Sequence, residues 1–345
     1  MKRLLLVPLL ALSLHASPDD DWKAIVAMDA GPSVKPANID QARSIAKAHI
    51  AKSRQLLEAF LKANPDDSRA FDAKMRLASH LAAIGKMDKK QSQVDEAMIM
   101  LQNLEKDKSA PLDKRADAGF RRVSLYMQSL TGREIESRRE IVSAAKNFQH
   151  RFPNDRRAPR LLVEVATICD SDPVLKKQLL DEARSMSKEE ALNRRIADDL
   201  KRLALLGKPL PLRFSAIQGG TFDIAAQQGR LVFLIFWSGE SAPSLLWMEE
   251  FRLAMAKLPA DRITVATISL DKDASIPRDR IKELGISDWP TACEGKGWDD
   301  PIARQCGINA LPTVFLFDHQ GVLQTTNART SYESWIRKLI IQNAR

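Results

Sequence analysis

The residues able to do chemistry are few and unevenly placed. Ser241 and Ser244 stand three apart in FWSGESAPSLLW, Phe236 to Trp247. A serine is a nucleophile only where a base takes its proton. The string Gly239-Glu240-Ser241-Ala242-Pro243 is not the G-x-S-x-G elbow of hydrolases, and His319 falls in a predicted turn. No Ser–His–Asp arrangement can be argued from this pattern. Capping is the simpler chemistry of Ser241. Its hydroxyl would accept from the free N–H groups that open a helix, with Pro243 in the first turn, where a missing N–H costs nothing. The three cysteines are Cys169, Cys293 and Cys306, and an odd number leaves at least one thiol free or paired between molecules. Cys169 sits in an apolar helical run and reads as a buried free thiol. Asp299, Asp300, Asp318 and the run Asp271-Lys272-Asp273 lack metal-ligand spacing and read as solvated loops. No metal and no cofactor is expected.

The elements that must position these residues come in two kinds. The 345 residues have room for two domains, and 44% hydrophobic with 28% charged residues is a globular balance. From 39 to 205 the chain reads as helical. Ile45, Ile50, Leu56, Leu57, Phe60 and Leu61 recur at three- and four-residue spacing, and Pro111, Pro153 and Pro173 mark turns. FLKANPDDSRA, from Phe60, and FQHRFPNDRRA, from Phe148, share Phe, Pro, Asp, Arg and Ala in register. Each reads as a helix end, a Pro–Asp/Asn turn and a new helix. These joints resemble those of tetratricopeptide-type hairpins, and a plain helical bundle is the alternative. After Leu205 the pattern changes. LVFLIFW (231–237), RITVATISL (262–270) and TVFLFD (313–318) read as buried strands between helical stretches, which implies an α/β layer with βαβ crossovers. TVFLFDHQGVLQTT reads as a hairpin turning at His319–Gly321, and SYESWIRKLIIQNA as a last amphipathic helix.

The start, MKRLLLVPLLALSLHAS, has a basic n-region, a short apolar run and Ala16 at a cleavage position. This is the pattern of a signal peptide over 1–16, and the expected location is periplasmic or secreted. An irregular leader is expected over 17–38, a helical-hairpin domain over 39–205 and a second domain over 206–345. No Cys adjoins the cleavage position, so no stable membrane anchor is expected. The net charge of +9 comes without a dense Lys/Arg run interleaved with aromatics, so no nucleic acid is expected as partner.

In order along the chain, 207–345 resembles the thioredoxin-like domain of the TlpA / AhpC-TSA (redoxin) group. GKPLPLRFSAIQGGTFDIAAQQGRLVFLIFW is similar to its leading hairpin and first central strand. FWSGESAPS stands where that group has FWATWCGPC, and VATISLDKD resembles the next strand. GINALPTVFLFDHQG resembles the segment with the cis-proline, which falls at Pro312. The resemblance implies an α/β thioredoxin-like fold, C-terminal to an all-α helical-hairpin domain. The family's chemistry needs one thiolate to attack and a second thiol to resolve. Ser241 and Ser244 hold those positions. A helix dipole cannot make an alkoxide of Ser241 at neutral pH, and serine forms no disulfide, so thiol–disulfide exchange at this loop is excluded. Glu240 stands where the family often has Trp, and Ile235 where thioredoxin has a buried Asp.

What the resemblance leaves is a place to hold an extended peptide, with the backbone of Leu311 presented to it. Trp237, Ser241, Ser244, Leu311 and Pro312 would line the contact, and the partner would be a protein or peptide. Cys293 and Cys306 occupy places where the family has aromatics. They could form a disulfide, act as a relocated redox pair, or be two small buried hydrophobes. A scaffold acting through the helices is a third reading.

Overall fold

A computed structural model describes residues 17–129, 135–258, 261–329 and 331–343. The signal peptide expected over 1–16 lies outside the described residues. Among them no helix is long and apolar enough to cross a membrane. The chain divides into two compact units, Met1–Leu161 and Leu162–Arg345.

The first unit opens on a helix that the sequence reading missed. The Ser17 hydroxyl accepts from the Asp20 N–H, Pro18 begins α1 (Pro18–Ala27), and Asp19, Asp20 and Asp21 fill its first turn. The acids that read as an irregular leader are those a helix N-terminus favours. Trp22 of α1 packs on Phe60, ring centroids 5.3 Å apart. There follow α2 (Ile39–Ala63), α3 (Ala70–Asp88), α4 (Gln91–Lys106), α5 (Leu112–Ser129) and α6 (Ile135–Arg151). Each packs on its neighbour in sequence. Leu57, Phe60, Leu81, Ala97 and Leu101 belong to a core that α1 to α5 share.

The two similar sequence segments fold alike. After α2, the Asp67 carboxylate accepts from the Arg69 N–H and guanidinium at 2.7–2.8 Å. After α6, Asp155 does the same for Arg157 at 2.8–3.0 Å. Each arginine also reaches an acid on another helix, Asp19 or Asp117, at 2.8 and 2.9 Å. Each lies over an aromatic ring, Arg69 over Trp22 and Phe60, and Arg157 over Phe120. The Pro–Asp turn, the ion pair and the ring together fix how one helix leaves the next.

A buried acid ties three helices of this unit. Glu105 of α4 has no exposure and accepts from Arg122 of α5 at 2.8 Å and Arg151 of α6 at 2.9 Å. Its two partners keep some contact with water, at 16% and 39% exposure, so removing the acid does not strand two buried cations. Glu105→Ala is expected to destabilise the unit by about 2–3 kcal/mol, below the usual range for breaking a buried pair. Urea unfolding measures this, and a change under about 1 kcal/mol, the value of a surface pair, would contradict it.

The boundary between units falls inside α7 (Ala158–Ala166). In the second unit α8 (Pro173–Met186) and α9 (Glu190–Leu205) precede the α/β part. The units meet at 161–162, whereas the composition changes at Leu205. A leading hairpin pairs β1 (Arg213–Ser215) with β2 (Thr221–Asp223). Then come β3 (Leu231–Trp237), α10 (Ala242–Met255), β4 (Ile263–Ser269) and α11 (Ser275–Glu283). The chain ends with β5 (Thr291–Ala292), α12 (Pro301–Gln305), β6 (Thr313–Phe317), β7 (Leu323–Thr325) and α13 (Tyr332–Asn343).

The five-stranded sheet has the order β5-β4-β3-β6-β7, with β3, β4 and β5 parallel and β6 antiparallel to both its neighbours, β3 and β7. Val232, Leu234 and Phe236 of β3 face the leading hairpin and α12. Leu231, Phe233, Ile235 and Trp237 face Met248 and Phe251 of α10, Ile281 of α11, and Ile336 and Leu339 of α13. With a central parallel pair, an antiparallel closing hairpin and helices on both faces, this unit has the expected thioredoxin-like α/β fold. The hairpin at His319–Gly321 forms as expected, with Gly321 at φ +77°.

Candidate functional site

The strand β3 delivers its loop to the carboxyl edge of the sheet, where ligands of open α/β sheets bind. Ser241 caps α10, its Oγ accepting from the Ser244 N–H at 3.4 Å, and Pro243 lies in the first turn. Phe236 pairs with Thr313, so the end of β3 lies beside the start of β6. The peptide bond Leu311–Pro312 is cis. The loop of the two serines and the cis-proline segment are therefore neighbours through strand register.

The five residues expected to line a peptide contact do not share one surface. Trp237 has no exposure, because its place on β3 turns it into the core under α10, and its Nε1 donates to Thr267 Oγ1 at 3.1 Å. Ser244 is also fully buried, one turn into α10, and its hydroxyl has no partner among the described residues. Pro312 is buried. Only Ser241 and Leu311 of the five keep partial exposure, with Glu240, Ala242, Pro243 and Ala310 exposed around them.

The residue that holds the loop was read in the sequence as solvated. Asp271, just past β4, is 2% exposed. It accepts from Ser238 Oγ at 2.6 Å, from the Gly239 N–H at 2.8 Å and from Ser269 Oγ at 2.7 Å. Gly239 is needed for close approach: a Cβ there would lie 2.6 Å from Ile276 Cγ2 of α11. Asp300 and Asp318 also correct the solvated reading. Asp300 is 1% exposed and caps α12, accepting from the Ala303 N–H at 2.9 Å. Asp318 accepts from the N–H groups of Gln320 and Val322 in the hairpin turn. Acids followed by a turn or a helix start were the signal available for both. Among the described residues no group of acids, His and Cys could hold a metal.

Cys293 and Cys306 are free thiols and are not bonded to each other. Cys306, the C-cap of α12, is fully buried under the leading hairpin and β6. Burial, reinforced by the Asp300 carboxylate, pushes its thiol up to about 12. Cys293 is partly exposed just past β5, and its Sγ donates to the Asp271 carbonyl at 3.5 Å. It thus stands on the same edge as the serine loop, with Asp271 between. Cys169 is buried and donates to the Val165 carbonyl.

A second feature missed in the sequence is the seat of α9. Arg202 bonds to Asp199 and the Gly307 carbonyl, and donates to Asn309 Oδ1 at 3.0 Å. Asn309 Nδ2 donates to Asp199 Oδ1 at 3.0 Å. Burial pulls Arg202 down to about 10, against the opposing pull of the Asp198 and Asp170 carboxylates, so it stays charged at neutral pH. Asp199 is its direct ion-pair partner. Gly307 is at φ +66°, and a Cβ would lie 2.5 Å from the Asp198 carbonyl oxygen. The segment leading to cis-Pro312 is thereby fixed against α9.

No family model and no curated protein matches the chain. Among solved structures, the C-terminal part is similar to a thiol-disulfide oxidoreductase from Bacteroides fragilis. The identity is 21% over 36% of this chain and 95% of that one, with a TM-score of 0.32. It is similar to the thioredoxin domain of a thiol-disulfide oxidoreductase from Bacteroides vulgatus. There the identity is 15% over 39% of this chain and 97% of that one, with a TM-score of 0.35. A thioredoxin-like protein from Parabacteroides distasonis is 20% identical over 34% and 86%, with a TM-score of 0.31. The fold assignment rests on the strand order and faces described above.

Two measurements test this geometry. Asp271→Ala strands the buried Ser269 hydroxyl, the part-buried Ser238 hydroxyl and a backbone N–H, and is expected to cost about 2–3 kcal/mol and to raise hydrogen exchange at Gly239. Unchanged exchange there would remove Asp271 as the anchor. For the thiols, a pKa of about 12 leaves Cys306 on the order of one part in ten thousand thiolate at pH 8. Aromatic-disulfide titration of the native chain should therefore show one fast thiol, lost in Cys293→Ser, and three after unfolding in reductant-free urea. Fewer than three in urea would mean that a disulfide is present.

Proposed function

We propose that this is an exported thioredoxin-fold protein of the TlpA / redoxin type. Its two-serine loop binds a peptide or protein without exchanging disulfides, and the tetratricopeptide-like helices precede that module. The observation that carries the reading is the pair Ser241 and Ser244 beside a cis-proline at the carboxyl edge of a thioredoxin-like sheet. The loop geometry is kept by Asp271 and Gly239, neither of which needs a thiol. Ser241, the exposed residues of the loop and the backbone at Leu311 make the contact, with Trp237, Ser244 and Pro312 as its support. Strand addition needs only main-chain donors and acceptors.

The rival reading, a dithiol oxidoreductase working through Cys293 and Cys306, needs both thiols accessible. The burial of Cys306 weighs against it. The scaffold reading places all binding on the helices.

One set of assays separates the three. The purified chain should not reduce insulin, and should capture an extended model peptide. Leu311→Pro should weaken that capture by about tenfold through lost main-chain bonding. Insulin reduction that disappears in Cys293→Ala or Cys306→Ala would establish the rival. Capture indifferent to Leu311→Pro would move binding to the helices.

A further inference from the structure

A cleft of about 760 Å³ lies between α9 and the segment running from the 3-10 turn Gly297–Asp299 through α12. Arg194, Arg195 and Lys201 line it from α9 and Arg304 from α12, with Asp198 as the single acid of the lining. Trp298 also lines it and is 52% exposed, an unusual place for an indole in a unit that buries Trp237 completely. The cations differ in how firmly they are held. Arg194 pairs with Glu190 and Arg304 with Asp299, but all four groups are at least two-thirds exposed, at 69%/83% and 67%/70%. Such pairs are worth little and exchange readily for another carboxylate. Lys201 donates to the Arg304 carbonyl at 2.8 Å, and the Arg195 guanidinium has no partner among the described residues.

The cleft is also preorganised. The part-buried Arg202–Asp199–Asn309 network holds α9 to the floor that presents these cations. Fixed donors lose less freedom on binding than mobile ones. Asn309 itself lines the cleft and precedes Leu311 by two residues, so the cationic wall leads directly to the cis-proline segment.

We infer that this cleft takes an acidic stretch of polypeptide. Its carboxylates meet Arg194, Arg195, Lys201 and Arg304, an apolar side chain lies on the exposed face of Trp298, and the chain continues over Leu311. The inference rests on the peptide-binding reading and specifies its partner: an extended segment with clustered Asp or Glu and a neighbouring aromatic residue. Charge complementarity of this kind selects the partner and speeds encounter more than it deepens affinity.

The test uses the full chain and fluorescence anisotropy of a fluorescein-labelled extended peptide carrying four Glu and one Phe. The same peptide with Gln for each Glu is the control. At low ionic strength the Glu peptide should bind at least about tenfold more tightly than the control. High salt should erase that advantage, since exposed charges are screened. Arg195→Glu with Lys201→Glu should also erase it, and Arg195→Gln with Lys201→Gln should reduce it if the reversal impairs folding. Trp298→Ala should weaken the Glu peptide while leaving its salt dependence. Leu311→Pro should weaken both peptides. Equal binding of the two peptides, unmoved by the charge changes, would overturn the cleft and leave peptide binding standing. Binding of neither would overturn both. A charge preference that survives while Leu311→Pro is silent would keep the cleft and remove the cis-proline contact. Tighter binding of an oligothymidylate of equal charge than of the Glu peptide would also overturn the assignment.

Discussion

The second unit depends on the complete burial of β3. None of its seven side chains exceeds 3% exposure, and its two faces carry different sets. Sliding such a strand by one residue would exchange the sets and misfit both cores at once, so its register is fixed. The positions of β4 and β6 follow from it. Three chain segments then meet at one edge: Trp237 at the end of β3, Ser269 to Asp271 at the end of β4, and Pro312 before β6. No thiol sets this register; Cys293 only touches the Asp271 carbonyl from the side. A loop whose frame is made by packing keeps its shape when its chemistry is different.

The same frame sets the electrostatics at the start of α10. A helix N-terminus favours an anion, and in a dithiol protein that favour lowers the attacking thiol's pKa. Here the buried Asp271 carboxylate accepts the Gly239 N–H two residues before the cap, and Glu240 adds an exposed carboxylate beside it. Both oppose a second negative charge at Ser241. The loop is thus unsuited to a thiolate for reasons beyond the identity of two side chains.

The sheet was legible in the sequence because β3, β4 and β6 are continuous apolar runs, which only a strand covered on both faces requires. The two helix joints were legible for a different reason: Phe, Pro, Asp and Arg each have a fixed task there, so the pattern repeats with the geometry. The leader helix was hidden because its stabilising residues, Ser17 and three Asp, look like a polar tail when no partner is seen. Asp271 was hidden because its donors Ser238 and Gly239 lie over thirty residues away, and a buried acid with distant donors resembles a solvated one. Trp237 was assigned to a surface because its neighbours in sequence are a loop, whereas its alternation along β3 places it in the core. The seat of α9 rests on bonds between residues more than a hundred apart, from Asp199 and Arg202 to Gly307 and Asn309. The amphipathic pattern of α9 is the same whichever neighbour it packs against.

The two serines are not equivalent in free energy. Ser241 satisfies an N–H of α10 and so contributes to stability as any N-cap does, typically about 1 kcal/mol. Ser244 is fully buried and its hydroxyl has no partner among the described residues, which costs about 1–3 kcal/mol relative to a satisfied group. A thiol in that place would be a small hydrophobe and would escape most of this cost. Stability therefore accounts for the first serine and not for the second. The unit tolerates the second because its surroundings are over-determined: Met248 and Phe251 of the same helix are fixed in the core, and Asp271 fixes the loop from the other side. The shape of the loop is thus set by its neighbours, and the residue at its least stable position is free to vary without moving it.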